Sequence, residues 1–571
     1  MNSSPIDCDL LIAGSGAAGL AAAATAASRG MRVIVAEKAE VFGGTTCFSA
    51  GIVWIPGSRQ SKQAGIVDTA QQALRYLVEE GGNRIDLDKA EAYLARAPEI
   101  LDWFERNTHL KFDLSPAWPD YHPTRDGGSS GGRSLGPRPF DGRRLGTRFG
   151  DLRPPLKTTT ILGGMMVGRE DIPHFYGMRR SRESAIHVGK LMLRYAYDRL
   201  SHPRGTRLSN GNALIAALAL SCFEKGVVLK LRSPLRRLLV REGRVTGAVL
   251  DGPEGAQEVL ARAGVVLACG GFPADESLRR RFYGHVGAGL NHRTAAPETN
   301  TGDGFRIGEG LGVAIVDGQD QPAAWTPISL VKQADGSTIP FPHFIDRGKA
   351  GVIAVDRRGR RFVSEALSYH DFVPAMISAC EGDEEIACHL ICDAAAFNRY
   401  GLGAALPPPG RIGAHIRSGY LKQASTIFEL AGLCGIDPVA LEATVSRINE
   451  GAARGIDPEF DKGGDVYQRF NGSSGLTPNP CVAPIAQAPF YAVKVLPGDI
   501  GTFVGLRTDD KARALDVRGS VIEGLYVAGN DAASFMGGTY PGAGITIGPA
   551  LVFGHLAAEH AASVLKEQFH A

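Results

Sequence analysis

Apolar and polar positions along the first forty residues predict a strand, a turn, a helix and a second strand. Leu10 to Ala13 form an apolar run, Leu20 to Ser28 an alanine-rich segment, and Arg32 to Ala36 a second β-like run. The turn, Gly14 to Gly19, has the spacing G-x-G-x-x-G, and Glu37 ends the second strand. Glycines let a backbone approach a pyrophosphate, a helix N-terminus offers free N–H groups, and an acid can accept from ribose hydroxyls. The pattern therefore predicts a dinucleotide site.

The rest of the pattern predicts an α/β chain with one long irregular excursion. Residues 68–107 have helical periodicity, and residues 236–250 form two strands around a Glu-Gly turn. Two buried strands run directly into glycine, at 265–272 and at 524–530. Such strand ends are where an open α/β sheet leaves room for a ligand. Residues 123–160 are rich in Gly, Pro and Arg, and loops of that length are usually functional or mobile.

Length, charge and cysteine content exclude several classes of protein. A chain of 571 residues is expected to form two or three domains. Its net charge of +2 argues against nucleic acid as a partner. Its nine cysteines include no C-x-x-C pair, so we expect buried thiols in a reducing compartment and no metal site. The N-terminus has no cationic segment before the apolar run, which favours a cytoplasmic location.

Five further segments resemble those of FAD-binding flavoproteins in the fumarate reductase and succinate dehydrogenase superfamily. They are Gly43 to Thr46, Ser49 to Gly51, Ala268 to Phe272, Asn300 to Gly304 and Leu525 to Asn530. Because these segments lie near both ends and in the middle, the resemblance covers most of the chain. It implies an FAD that lies extended through one domain, with a smaller cap domain inserted between two stretches of that domain.

The fold class that we expect is therefore α/β, with a Rossmann-like FAD-binding domain interrupted by a smaller α+β catalytic (cap) domain. Residues 1–328 are assigned to the first part of the FAD-binding domain, which includes the irregular insertion at about 123–170. Residues 329–494 are assigned to the cap domain, and residues 495–571 to the second part of the FAD-binding domain.

The resemblance implies FAD as the cofactor, held noncovalently, since the first histidine of the chain is His109. Glu37 is expected to hold the adenosine ribose. The helix that starts near Ile547 is expected to aim its N-terminus at the flavin ring, where a positive dipole end stabilises the anionic reduced form. The residues assigned to FAD are Gly14, Gly16, Ala17, Ala18, Gly19, Glu37, Lys38, Gly44, Thr45, Thr46, Ser49, Ala50, Gly51, Ala268, Gly270, Asp303, Gly529, Asn530, Ile545 and Ile547.

One position separates the members of this superfamily. Gly359 to Glu365 resembles the soluble fumarate reductases, which place an arginine four residues after that glutamate as the proton donor. Here the position is Tyr369. A dicarboxylate substrate needs a permanent cation with paired donors, whereas a phenol suits a neutral, apolar substrate.

Two segments, Trp118 to Pro123 and Thr539 to Ala550, together with Ser368-Tyr369, resemble 3-ketosteroid 1-dehydrogenases. That resemblance implies an active site of Tyr121, Tyr369, Tyr540 and Gly544. It assigns Tyr540 and the Gly544 N–H to the ketone oxygen and Tyr369, as phenolate, to the proton on carbon 2. Tyr121 is expected to lower the pKa of Tyr369.

The implied reaction transfers hydride from carbon 1 of a 3-ketosteroid to FAD and leaves a 1,2 double bond. The electron acceptor that reoxidises FAD is unidentified, quinone-like or other. The insertion at 123–170 is expected to shape the far end of the pocket or to contact a membrane, where sterols dissolve. His122 and His370 flank two of the tyrosines and, since neighbouring strand residues point to opposite faces, both are expected to be peripheral.

Three alternatives stay open at this point. A 3-keto-5α-steroid 4-dehydrogenase would use the same ketone-binding groups but present carbons 4 and 5 to the flavin. A fumarate- or urocanate-type reductase is disfavoured by Tyr369. A noncatalytic flavoprotein would use FAD as a structural group or as an electron relay.

Overall fold

The structure is a computed structural model that describes residues 5–168, 170–178, 181–333, 335–408 and 410–570, the side chains of 568–570 excepted. Its central element is a six-stranded sheet whose inner strands are parallel. The inner strands are buried on both faces, which explains why they read as continuous apolar runs. In spatial order the strands are Arg513–Leu515, Val521–Val527, Val265–Leu267, Leu10–Ala13, Val33–Ala36 and Val228–Lys230.

Helices pack on one face of the central sheet, and a second sheet packs on the other. On one face of the central sheet, the buried helix Ala17–Ser28 packs between Ile547–His570 and Asn210–Glu224. A second sheet shares a hydrophobic core with the central sheet on its other face. The expected strand–helix–strand unit and the hairpin around Glu242-Gly243 are confirmed. The second sheet has the strand order Ile6–Cys8, Gly255–Ala261, Arg244–Gly252 and Leu235–Arg241.

The helical periodicity of residues 68–107 is confirmed as two helices. Ala70–Gly81 is capped by Thr69, and Leu87–Asn107 is capped by Asp86, whose side chains accept from backbone N–H groups of the first turn. The other helices are Arg59–Gln63, Ile172–Gly177, Arg182–Asp198, Glu276–Phe282, Gly284–Gly287, Asp303–Gly310, Tyr369–Ala379, Ala394–Tyr400, Gly413–Arg417, Ile427–Cys434, Pro438–Ala452 and Val466–Asn471.

A four-stranded antiparallel sheet has hydrophobic cores of its own. Along the sequence, its strands fall between the two stretches of chain that build the central sheet. Its strands, in spatial order, are Val352–Val355, Cys388–Cys392, Phe490–Val495 and Leu421–Ala424. The α/β fold class is confirmed. The smaller sheets consist of Arg293–Thr294, Gly498–Thr502 and Ala323–Trp325; Ile315–Val316 and Gly505–Leu506; Ile328–Lys332 and Thr338–Pro342; Val53–Trp54, Ser134–Pro137 and Phe112–Leu114; and Phe140–Asp141 with Arg207–Leu208.

The segment predicted to be irregular is partly ordered. Ser134–Pro137 pairs with two other strands, and 3₁₀ turns cover Gly142–Asp151 and Lys157–Thr159. The buried Arg133 fixes the start of this segment through ion pairs to Asp68 at 2.8 Å and Asp120 at 2.7 Å. Charge pairing between distant residues thus supplies order that periodicity does not reveal. Across the described ranges, no helix combines the length and the apolar character that crossing a membrane requires.

Candidate active site

The first glycine of the nucleotide loop allows the loop to lie against two strand ends. Gly14 has φ of +104°, and a Cβ there would lie 2.1 Å from the Ala268 carbonyl oxygen. A Cβ on Gly19 would lie 2.0 Å from the Gly14 carbonyl oxygen. The absence of a side chain at Gly19 therefore lets the helix pack closely against the end of the strand. The start of the helix, Ala17 and Ala18, consequently lines a large cavity. Backbone N–H groups at that position fit a pyrophosphate.

The acid at the end of the second strand is buried beside the same loop. Glu37 accepts hydrogen bonds from the Ser15 backbone N–H at 3.1 Å and the Ala39 N–H at 2.8 Å. Its neighbour Lys38 pairs with Asp303 at 2.9 Å. All three of the residues assigned to FAD here, Glu37, Lys38 and Asp303, line the cavity. The carboxylate is therefore held in a fixed orientation, as a ribose-binding acid requires.

A side-chain amide that the sequence assignment omitted joins two flavin-side loops. Asn300 donates from Nδ2 to the Thr45 hydroxyl at 2.9 Å and to the Gly270 carbonyl at 3.2 Å. The Thr46 hydroxyl accepts from the Ala17 N–H at 3.2 Å. These bonds hold the Thr45 loop over the N-terminus of the first helix. The motif that contains Asn300 signalled the residue, but its role depends on a contact across 255 residues of chain.

The C-terminal elements close the cavity from the other side. Asn530 lies after the strand Val521–Val527, and Ile547 begins the last helix, with both residues lining the cavity. Of the residues assigned to FAD, all line the cavity except two, Gly19 and Ile545. Gly19 packs the helix onto the strand, and Ile545 is buried with 3% of its surface exposed. A cavity of about 1560 Å³ with a glycine loop, a helix N-terminus and a fixed acid fits an FAD and leaves room for a second ligand.

Three phenols from distant segments meet in the wall of this cavity. The ring centroids of Tyr121, Tyr369 and Tyr540 are 5.2 to 5.6 Å apart. The Tyr121 hydroxyl donates to the Tyr369 hydroxyl at 2.9 Å. All three side chains are buried and line the cavity. The structure therefore brings together the three tyrosines that the sequence singled out.

Gly544 lies in the same wall and presents its backbone to the cavity. Its φ is +102°, and a Cβ there would lie 2.6 Å from the backbone of Val53 and Trp54. The Gly544 carbonyl accepts from the Trp54 N–H at 3.3 Å. Within the described part of the chain, the Gly544 N–H itself makes no backbone hydrogen bond. A backbone donor of this kind, in the cavity wall that also includes Tyr540, is suited to bind a ligand oxygen.

The electrostatics of the phenols differ from expectation. Burial raises the pKa of Tyr369 well above its usual value of 10, and the neighbouring phenols Tyr121 and Tyr540 raise it further. Burial likewise raises the pKa of Tyr121 and of Tyr540. The prediction that Tyr121 lowers the pKa of Tyr369 is therefore wrong. The low dielectric of the buried site and the two neighbouring phenols all disfavour the charged form of Tyr369.

Neither His122 nor His370 is among the described residues that line the cavity, although each bonds to groups near the segments that carry the phenols. The His370 ring lies 5.5 Å from the Tyr540 ring and bonds to the Trp325 N–H and the Gly538 carbonyl. Burial lowers the pKa of His370 to about 4, so the ring is neutral. His122 bonds to two carboxylates, Glu80 and Asp371, the second of which lies two residues after Tyr369. Tyr369 lies in the first turn of a helix, so the alternation expected of a strand does not apply there.

Aromatic side chains that the sequence did not single out complete the chamber around the phenols. The Tyr467 ring lies 4.8 Å from Tyr121, and the Phe344 ring lies 5.0 Å from Tyr369. No local motif marks them, because only the packing of distant segments makes them neighbours. The cavity has further apolar lining residues, which are Trp118, Leu156, Ile172, Phe175, Met192, Phe341, Leu406 and Phe470.

Comparison with known proteins agrees with this geometry. Residues 9–547 match the FAD binding domain family FAD_binding_2. A 4-oxocyclohex-2-ene-1-carboxylate 5-dehydrogenase from Sinomonas cyclohexanicum is 39% identical over 97% of this chain and 93% of its own length. A 3-oxosteroid 1-dehydrogenase from Mycobacterium tuberculosis is 37% identical over 97% of this chain and 98% of its own length.

One solved structure is similar to this chain in both sequence and fold. The crystal structure of 3-ketosteroid delta1-dehydrogenase from Sterolibacterium denitrificans with 1,4-androstadiene-3,17-dione is 34% identical in sequence. It covers 98% of this chain and 100% of its own, with a TM-score of 0.89. The chain therefore belongs to the FAD-binding flavoprotein family of the 3-oxosteroid 1-dehydrogenases, and it is an FAD-dependent oxidoreductase.

Proposed function

We propose that this protein is a 3-oxosteroid 1-dehydrogenase, which introduces a 1,2 double bond into the A ring of a 3-ketosteroid. The observation that carries the proposal is the cluster of Tyr121, Tyr369 and Tyr540, which lines, with Gly544, a cavity also lined by the nucleotide loop. The names of two relatives, similar over nearly the whole chain, support the same reaction.

The ketone oxygen would bind between the Tyr540 hydroxyl and the Gly544 N–H. Negative charge grows on that oxygen as carbon 2 loses its proton, so both donors bind the transition state more tightly than the substrate. Each donor of this type lowers a barrier by about 3 kcal/mol. The phenol and the backbone N–H come from one short loop, Tyr540 to Gly544, and both residues line the cavity.

The proton on carbon 2 would pass to the Tyr369 oxygen. Because burial raises the pKa of this phenol, the phenolate is a strong base once formed, and the hydrogen bond from the Tyr121 hydroxyl would orient the Tyr369 oxygen. Bound FAD would supply the two-electron acceptor chemistry for the hydride that leaves carbon 1. The residues that would hold FAD are those of the nucleotide loop, Glu37, the Thr45 loop and the N-terminus of Ile547–His570.

The cavity favours a neutral ketone over a carboxylated one. Among the described residues that line it, the cations are Lys38 and Lys349. Lys38 pairs with Asp303, and Lys349 donates from Nζ to two backbone carbonyls at 2.8 Å each. Burial lowers the pKa of Lys349 to about 8, which reflects its apolar surroundings. A carboxylate such as that of the Sinomonas relative's substrate would find no uncommitted cation among these residues.

Anaerobic titration of the purified holoenzyme with androst-4-ene-3,17-dione tests the proposal. Bleaching of the flavin absorbance with formation of the 1,4-diene is the expected result. Bleaching only by a 5α-saturated ketone would identify a 4-dehydrogenase instead. Bleaching only by 4-oxocyclohex-2-ene-1-carboxylate would show that the substrate is a small carboxylated ring, and oxidation of the dithionite-reduced protein by fumarate would identify a reductase.

A further inference from the structure

The segment Asp120 to His122 connects the elements that carry the other catalytic groups. The Tyr121 backbone N–H donates to the Pro541 carbonyl at 2.9 Å. The Tyr76 hydroxyl donates to the same carbonyl at 2.7 Å and accepts from the His122 N–H at 3.2 Å. These three bonds attach the Tyr121 segment to the loop that begins at Tyr540. None of these three bonds involves Tyr369, so other contacts must fix the position of that residue.

The His122 side chain reaches toward Tyr369 through a carboxylate. Its Nε2 lies 3.0 Å from Asp371 Oδ2, and its Nδ1 lies 2.8 and 2.9 Å from the two oxygens of Glu80. An ionised carboxylate only accepts hydrogen bonds, so both ring nitrogens must donate, and the ring is an imidazolium. Glu80 is buried with 2% of its side chain exposed, which makes this bridge a largely desolvated one.

The protonation of the ring agrees with that geometry. Burial lowers the pKa of His122, but its hydrogen bonds to Asp371 and Glu80 outweigh burial and raise the pKa to about 10. Burial raises the pKa of Asp371, and the bond from His122 reverses this and lowers the pKa to about 2. A further charged group at this bridge is Arg125, whose guanidinium lies 3.3 Å from Glu80.

Asp371 in turn belongs to the helix end that carries Tyr369. Ser368 is the N-cap of Tyr369–Ala379, and its hydroxyl accepts from the Asp371 N–H at 3.1 Å. The same hydroxyl donates to Asp371 Oδ2 at 2.6 Å. The oxygen that receives the His122 bond therefore also orients the cap of the first helical turn, where Tyr369 is the first residue. Asp371 is thereby linked through the Ser368 cap to the helix start that carries Tyr369.

We propose that His122 is a positioning residue: by bridging Glu80 and Asp371, it fixes the helix start that carries Tyr369 against the segment that carries Tyr121. The two phenol oxygens are consequently held at the 2.9 Å separation that lets Tyr121 donate to Tyr369. The inference rests on the proposed function, in which Tyr369 takes the proton. His122 is not among the described residues that line the cavity, so it acts through the phenols and does not touch the substrate.

The test compares the holoenzyme with His122→Gln, Asp371→Asn and the double variant, with His109→Gln as a matched control. His109 also bonds to a glutamate, Glu224, at 2.7 Å, but on the surface. We expect each single variant of the bridge to lower kcat at least about tenfold with KM unchanged, which corresponds to weakening one charged hydrogen bond. The double variant is expected to be no slower than the slower single variant, because both changes break one bridge.

A readout that does not need turnover separates this inference from the proposed function. In crystals of the His122→Gln holoenzyme, the oxygens of Tyr121 and Tyr369 are expected to separate beyond about 3.5 Å, too far for a hydrogen bond. An unchanged separation, kcat equal to that of His109→Gln, or effects that multiply in the double variant would each overturn the positioning role. If no ketone reduces the flavin of the unsubstituted enzyme, the proposed function fails, and the crystal distance still decides the role of His122.

Discussion

The flavin side and the ketone side of the cavity are built in different ways. On the flavin side the shape comes from backbone that lies in close contact, such as Gly14 against Ala268. On the ketone side it comes from long side chains that arrive from three distant segments, Tyr121, Tyr369 and Tyr540. The close backbone contacts on the flavin side leave no room for an added side chain. On the ketone side a hydroxyl group can be removed while the ring still packs, but the chemistry that depends on that hydroxyl is lost. Substitutions on the two sides should therefore fail differently.

The largest effect is expected from removal of the base. Tyr369→Phe keeps the ring and its packing but removes the oxygen that would take the proton, so kcat should fall by about 10²- to 10⁴-fold. FAD content, measured from the flavin absorbance of the purified protein, should stay as in the unsubstituted enzyme. A fully active Tyr369→Phe enzyme would rule out this residue as the base.

Loss of one ketone donor is expected to have the next largest effect. Tyr540→Phe should lower kcat/KM by about 10²- to 10³-fold, since one hydrogen bond to the developing oxyanion is lost. Steady-state rates with a 3-ketosteroid measure this loss, and Tyr420→Phe, a buried tyrosine whose hydroxyl bonds to Ser329 and the Ala404 N–H, is a suitable control. Equal losses in both variants would indicate a general defect of folding.

The pH dependence sharpens the electrostatic part of the comparison. Because burial raises the pKa of Tyr369 above 10, the phenolate is the minor form at neutral pH. The rate should therefore increase with pH, by about tenfold per unit between about pH 7 and about pH 9. Initial rates of flavin reduction measure it. A rate that is constant over this interval would mean that Tyr369 ionises below pH 7 or is not the base.

On the flavin side, the smallest effect on chemistry is expected. Glu37→Ala removes the acceptor for Ser15 and Ala39 and should lower the fraction of protein that retains FAD. The turnover rate per bound flavin should change less than about threefold, because the phenols are untouched. Gel filtration followed by flavin absorbance gives both quantities. Glu40→Ala, which removes an exposed partner of Arg232, is the matched control and should retain FAD fully.

The two sides also differ in how far the sequence predicts them. The nucleotide loop could be read from Gly14 to Glu37 because strand, turn and helix are local in the chain. The phenols could be located only through resemblance to a family, since no spacing relates Tyr121 to Tyr369. The bridge of His122, the chamber wall at Tyr467 and the helix Arg182–Asp198 escaped prediction. Each depends on contacts between segments that are far apart in the chain.

The pKa of Tyr369 illustrates the same limit. From the sequence, a neighbouring hydroxyl suggested a lowered pKa. In the fold, burial of three phenols together raises it. Burial is a property of the whole packed structure, so its sign and size could not be obtained from local sequence.

A crystal structure of the holoenzyme with androsta-1,4-diene-3,17-dione tests the central claim most directly. We predict that the 3-keto oxygen lies within about 3.2 Å of both the Tyr540 hydroxyl and the Gly544 nitrogen, with carbon 2 next to the Tyr369 oxygen. A steroid bound with its ketone away from Gly544, or a Tyr369 ring turned out of the chamber, would contradict it.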